Sequence, residues 1–122
     1  MLKKTIRLTI ICLFLSVASF AQQTEWYTLN QAYKSGIELL GKGKYAAASE
    51  QFSRVEQLNS APPTQPVDNR QVSLLKESAQ FYQAVCAMEL SNQNAESLFL
   101  KFIREYPASA HTKSAYFYMG SF

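Results

Sequence analysis

From Trp26 onward the apolar residues recur at steps of three and four, and no run alternates with a period of two. Trp26, Leu29, Tyr33, Ile37 and Leu40 fall on one stripe of a helix that starts near Thr24 and ends at Gly41. Tyr45, Ala48, Phe52, Val55 and Leu58 make a second stripe directly afterwards. Gly41-Lys42-Gly43-Lys44 between them reads as a tight reversal, with Gly41 and Gly43 turning the chain as glycine can through positive φ. The period then fails across Asn59 to Arg70, a linker that holds Pro62, Pro63 and Pro66. Beyond it, Asp68 or Asn69 can cap a third helix, with Gln71 placed as in a capping box. Its stripe runs Val72, Leu75, Ala79, Tyr82, Cys86 and Leu90. Asn92 or Asn94 can cap a fourth helix carrying Ala95, Phe99, Phe102 and Tyr106, which Pro107 stops because it has no N–H to donate. Ser109 can cap a last segment bearing Ala115, Tyr118 and Phe122. The expected fold class is all-α.

The second pair of helices repeats the first. Aligning Ala48 with Ala95 puts Phe52 on Phe99 and Val55 on Phe102, at an offset of 47 residues. In both copies a small residue precedes a large aromatic by one helical turn. Two helices of a hairpin can then approach closely at Ala, and the ring fills the gap one turn later. Such internal repetition weighs more on the fold assignment than any single motif does.

Ahead of Trp26 the pattern changes in kind. Lys3, Lys4 and Arg7 precede an apolar run from Leu8 to Ala18 and then Ser19-Phe20-Ala21, which together read as a secretory signal over residues 1–21, cleaved after Ala21. The run of about 11 residues falls well short of the roughly 20 that cross a bilayer as a helix. The formal net charge of +3 arises wholly here: with these three removed from the 12 basic residues, the rest balance the 9 acidic ones. No basic patch survives, so no nucleic-acid partner is expected. Cys12 sits inside the apolar run behind Ile11, not behind a small residue at its end, and so predicts no lipid anchor. Cys86 is then alone in the mature chain, and its neighbours Ala84, Val85, Ala87 and Met88 predict a buried thiol acting as a small hydrophobe.

Candidate chemistry is sparse. Gly36, four residues, then Gly41-Lys42 approach the phosphate-loop pattern, but Gly43 stands where Ser or Thr would hold a magnesium ion. Gly36 also lies within a helical stripe, so it reads as small for packing and the motif as the joint of a hairpin. Pro63-Thr64-Gln65-Pro66 has the spacing of a polyproline ligand and reads as a stiff solvated loop. The mature chain has one Asp (Asp68), one His (His111) and one Cys, too few for paired carboxylates, a metal set or a triad. His111, next to a helix start, reads as a solvated surface residue. Neither catalysis nor a cofactor nor a metal is expected.

At these residues the chain resembles the tetratricopeptide repeat (TPR) family, whose signature is W-x2-L-G-x2-Y, then A-x3-F, then P. In the first copy Gly36, Tyr45, Ala48 and Phe52 stand at family positions, while Ala32, Ser35 and Leu39 replace the Trp, Leu and Tyr. In the second copy Ala95, Phe99 and Pro107 match, and Ala79, Tyr82, Gln83 and Cys86 depart. A third copy opens at Tyr116-Phe117-Tyr118-Met119-Gly120. The resemblance implies helical hairpins stacked as a short right-handed α-solenoid of about two and a half repeats. The segments would be a signal over 1–21, hairpins over 22–58 and 71–107 with the linker 59–70 between them, and a first helix of a third repeat or a capping helix over 108–122.

The stretch from Phe99 to Gly120 is similar to the exported bacterial subset of these repeats, in which Tyr-Pro-x-Ser leads into an Ala-rich helix. That implies a non-catalytic scaffold binding other envelope proteins or peptides, in the periplasm or at the inner face of the outer membrane. The family's concave, partner-binding positions carry over to Asn30, Tyr33, Glu77, Gln80 and Phe117. Because the final segment is aromatic to Phe122, the expectation is a chain whose further repeats or next domain would follow, making this an N-terminal docking segment of a larger envelope protein or enzyme. A capping helix and self-association through that face are the alternatives.

Overall fold

The computed structural model describes residues 2–3, 27–58 and 69–122. All of the signal segment but residues 2–3, with its cleavage site, and Trp26, Asp68 and most of the proline linker fall outside these. The described chain is helical: α1 over 27–41, α2 over Tyr45–Gln57, α3 over Asn69–Glu89, α4 over Ala95–Glu105 and α5 over Thr112–Met119. No strand occurs among the described residues, and the all-α class holds.

The helices pack in chain order, α2 on α3, α3 on α4 and α4 on α5. Their apolar faces form two cores. In the first, Leu29 and Ala32 of α1, Ala48, Phe52 and Val55 of α2, and Ala79 and Cys86 of α3 are buried together. In the second, Phe81 and Ala84 of α3 meet Phe99 and Phe102 of α4 and Ala115 of α5. The two A-x3-F pairs thus sit at the centre of separate cores, with Phe52 and Phe99 both fully buried. At Gly36 the approach is closest: a Cβ there would stand 2.6 Å from Phe52 Cε1, so only a residue without a side chain lets the Phe52 ring lie against α1.

α3 corrects the single stripe expected of it. It buries Ala79 and Cys86 toward α1 and α2, and Phe81 and Ala84 toward α4 and α5. A helix packed on two sides spreads its apolar residues around the axis, so no single 3.6-residue stripe describes it. Leu90, placed on the stripe, is instead 41% exposed in the turn after the helix.

The turns carry further corrections. Of the two turn glycines, Gly43 has the positive φ, 68°, and Gly41 is the last residue of α1. The Gly43 N–H bonds to Leu40 O at 3.0 Å and the Lys44 N–H to Leu39 O at 2.9 Å, a Schellman cap. α3 ends in the same way without glycine. Ser91 takes φ 56°, its N–H bonding Met88 O, while the Asn92 N–H reaches Ala87 O, both at 2.9 Å. Asn94 precedes α4 but makes no side-chain cap bond. Its φ of −89° and ψ of 1° differ from the extended backbone that aims a capping side chain at the first turn. Ser109 does serve the start of α5: its hydroxyl accepts the His111 N–H at 3.1 Å.

Candidate protein-binding face

The residues carried over as concave positions lie on α1 (Asn30, Tyr33), α3 (Glu77, Gln80) and α5 (Phe117). Three helices that are alternate in sequence therefore contribute. What draws the first two together with the start of α5 is a polar chain centred on α3. The Tyr33 phenol hydrogen-bonds with Ser78, and Ser78 Oγ stands 3.3 Å from His111 Nε2. One residue earlier, Glu77 Oε1 accepts the Ser109 hydroxyl, which in turn accepts the His111 N–H.

His111 departs from its surface reading. Its ring stacks on Phe81 with centroids 4.5 Å apart and planes 14° apart, and meets Tyr82 edge-on at 5.6 Å. The side chain is half-buried; of its contacts on α3, Tyr82 lies on the sequence stripe and Phe81 and Ser78 lie off it. Ser78, Phe81 and His111 are thus the members of this face that sequence reasoning missed. Ser78 is not among the carried-over family positions, and a lone histidine carries no spacing signal.

Tyr33 is half-buried with its ring edge-on to Phe52 at 6.0 Å. Burial pushes its phenol above the usual tyrosine range, the Ser78 hydrogen bond offsets part of that, and Tyr82 adds to the rise. It therefore serves the core as well as the face. Gln80 is half-exposed as a residue, yet its Oε1 is buried and without a hydrogen-bond partner among the described residues. Phe117 is 77% exposed and touches the ring of Tyr118 edge-on at 5.9 Å. The structure brings Tyr33 to Ser78 and Glu77 to Ser109, but records no contact of Phe117 with Glu77 or Gln80.

The remaining repeat positions divide by role. Ala48, Ala95, Phe52, Phe99 and Gly36 are buried, Tyr45 is half-buried, and Pro107 is exposed in the turn after α4. Gly120 caps α5 at φ −70°, and the nearest atom to a Cβ there is Phe117 O at 3.5 Å, an ordinary contact. It lacks the close ring approach of Gly36. Cys86 is fully buried, and burial, with a smaller contribution from Glu89, pushes its thiol up to about 11. The thiol stays protonated and poorly nucleophilic.

No group of three or more metal-ligating side chains occurs among the described residues, and no described helix is long and apolar enough to cross a membrane. Comparison of the chain with protein-family models, with curated proteins and with solved structures gives no match.

Proposed function

We propose that the protein is a non-catalytic, TPR-type scaffold for protein–protein interaction, exported to the bacterial cell envelope. The observation that carries this reading is the duplication at the two cores. Phe52 and Phe99, 47 residues apart, are both fully buried beside equally buried Ala48 and Ala95, as they would be in successive hairpins of one array. Hairpins of this kind bury their apolar faces on their sequence neighbours, which agrees with helices that pack in chain order. In an array of that design the alternate helices α1, α3 and α5 line one face, where Asn30, Gln80 and Phe117 are available to a partner.

A peptide or loop suits this face better than a small charged ligand. Its side chains are amide, hydroxyl and aromatic, and its one carboxylate, Glu77, already accepts the Ser109 hydroxyl. The export half of the proposal rests on the sequence features of residues 1–21. The second reading, an N-terminal docking segment of a larger envelope protein, is favoured by one feature, the exposed rings of Tyr116, Phe117 and Phe122 on and after α5.

The test places a photo-crosslinking side chain at Asn30 or Gln80 and, as a control, at exposed Lys101 on α4. A discrete envelope protein captured from the first two positions and not from the third supports the face; identical products from all three would sink it. Fractionation that finds the chain in the cytoplasm at its unprocessed mass would remove the envelope part.

A further inference from the structure

Ser78 sits between two groups that can each use its one hydroxyl proton: the Tyr33 phenol, with which it hydrogen-bonds, and His111 Nε2 at 3.3 Å. The direction of this chain follows from whether Nε2 carries a proton. A phenol is a stronger acid than an alkyl hydroxyl, and an imidazole is the strongest base of the three. With the neutral ring holding its proton on Nδ1, Tyr33 therefore donates to Ser78, and Ser78 donates to Nε2. A protonated Nε2 can only donate. Ser78 Oγ then becomes its acceptor, the Ser78 hydroxyl turns to the Tyr33 oxygen, and the Tyr33 hydrogen is released from Ser78.

The ring is held in either charge state. It lies flat on Phe81, and an aromatic face that stacks on a neutral imidazole also attracts a cation. Its backbone is fixed as well, through the His111 N–H on Ser109 Oγ and the Ser109 hydroxyl on Glu77. The charged and titratable groups around it are Tyr33 of α1, Glu77 and Tyr82 of α3, Tyr106 after α4, whose carbonyl holds Thr112, and exposed Lys113 on α5 itself. The carboxylate among them, Glu77, is occupied by Ser109, and Nε2 faces the Ser78 hydroxyl instead. An imidazole is the side chain that takes up a proton between about pH 8 and pH 5. We propose that His111 is a proton switch beneath the binding face: its protonation reverses the Tyr33–Ser78–His111 hydrogen bonds and turns the Tyr33 phenol from an acceptor toward a bound segment into a donor. A backbone N–H of that segment suits the first state, and a carbonyl or carboxylate the second. The inference rests on the partner-binding reading of Tyr33, while the reversal itself needs no partner.

His111 is the single histidine of the chain, so ring-nitrogen NMR on the purified protein, prepared without a histidine tag, reads one imidazole. The expected result is a proton on Nδ1 at about pH 8, and a Tyr33 Cζ signal that moves with the midpoint of His111 as the pH falls to about 5. Loss of that signal in Tyr33→Phe identifies it. Ser78→Ala should leave His111 titrating and abolish the movement at Tyr33, and His111→Gln should abolish it too; circular dichroism checks that both stay helical. A neutral ring with its proton on Nε2 overturns the proposal in the wild-type protein alone, whatever the variants do. So does a Tyr33 signal that ignores the His111 midpoint, or one that still follows it in Ser78→Ala, which would mean coupling through Tyr82. Failure of this relay leaves the binding face standing, and failure of Asn30 and Gln80 to capture a protein leaves the relay standing.

Discussion

The two hairpins share a sequence device and solve its packing problem differently. In the first, Phe52 presses its ring against α1 at Gly36, where a Cβ would be 2.6 Å away, and the ring also stacks on Tyr82 at 5.6 Å. In the second, Gln83 stands 47 residues after Gly36, and Phe99 is instead seated among rings, edge-on to Phe81 at 6.2 Å and stacked on Tyr118 at 5.6 Å. One hairpin makes room by deleting a side chain, the other by recruiting aromatics from α3 and α5. The comparison teaches that an Ala and a Phe one turn apart specify that a ring is buried, while its surroundings are chosen separately. The turns repeat the lesson: Gly43 and Ser91 make the same cap, one without strain and one with it.

Truncating either ring has the largest effect. Phe52→Ala and Phe99→Ala are each expected to cost about 3–5 kcal/mol, the range for a buried Phe, measured by urea unfolding. Equal losses would show that the two settings hold their rings equally well. Gly36→Ala comes next. Its methyl would collide with Phe52, so a loss of roughly 1–3 kcal/mol is expected, against no more than about 0.5 kcal/mol for Gln83→Ala at the half-buried equivalent position. Combining Gly36→Ala with Phe52→Leu should cost less than the sum of the two changes, because the smaller side chain vacates the space the methyl needs. Additive losses would mean that the ring is not what excludes a Cβ.

The caps separate by sign. Gly43→Ala forces a side chain into the left-handed region and should lose about 1 kcal/mol. Ser91→Gly removes that strain and should gain roughly 0.5 kcal/mol, since glycine also loosens the unfolded chain. Opposite shifts in thermal midpoint check the pair.

The smallest expected effect is electrostatic and lies between the hairpins. Burial raises the Glu56 carboxyl above its ordinary value, with Lys101 and Lys76 offsetting part of the rise and Glu105 adding to it. The folded state therefore holds this proton more tightly than the unfolded one. The resulting stability is present below the ordinary glutamate value and is lost as pH rises through the raised one. Glu56→Gln should raise the melting temperature slightly at neutral pH, and the gain should fade as the wild-type carboxyl becomes protonated. A gain that persists at acid pH would place its cause elsewhere.

Much of this was readable from one dimension. The stripes of α1 and α2 located Leu29, Phe52 and Val55, and the 47-residue offset carried the same reading to Phe99 and Phe102, because each of these residues answers to one neighbouring face. α3 was read by halves. A helix wedged between two cores has no single period, so Ala79 and Cys86 were found while Phe81 and Ala84 were passed over. Ser91 was invisible for a different reason: its left-handed backbone is imposed by closing the cap, against the preference of its own side chain. On the candidate face, Asn30, Tyr33, Glu77, Gln80 and Phe117 came from pattern alone. The Ser78–His111 link depends on a separation of 33 residues that no local spacing reports.

Tyr82 packs against both cores, stacked on Phe52 on one side and edge-on to Phe81 at 5.3 Å on the other. Two cores that share a ring do not melt independently, because losing α1 and α2 strips one side of Tyr82 and weakens its hold on the rest. In a one-dimensional account of folding, that shared contact is the coupling constant between adjacent units. Where the coupling exceeds the difference in their intrinsic stabilities, the chain unfolds in one step; with the ring cut away, the coupling falls to what the rest of α3 carries and the transition should broaden. The sharpness of unfolding therefore depends on Tyr82 as well as on α3 itself, which both cores share, apart from the depth of either core.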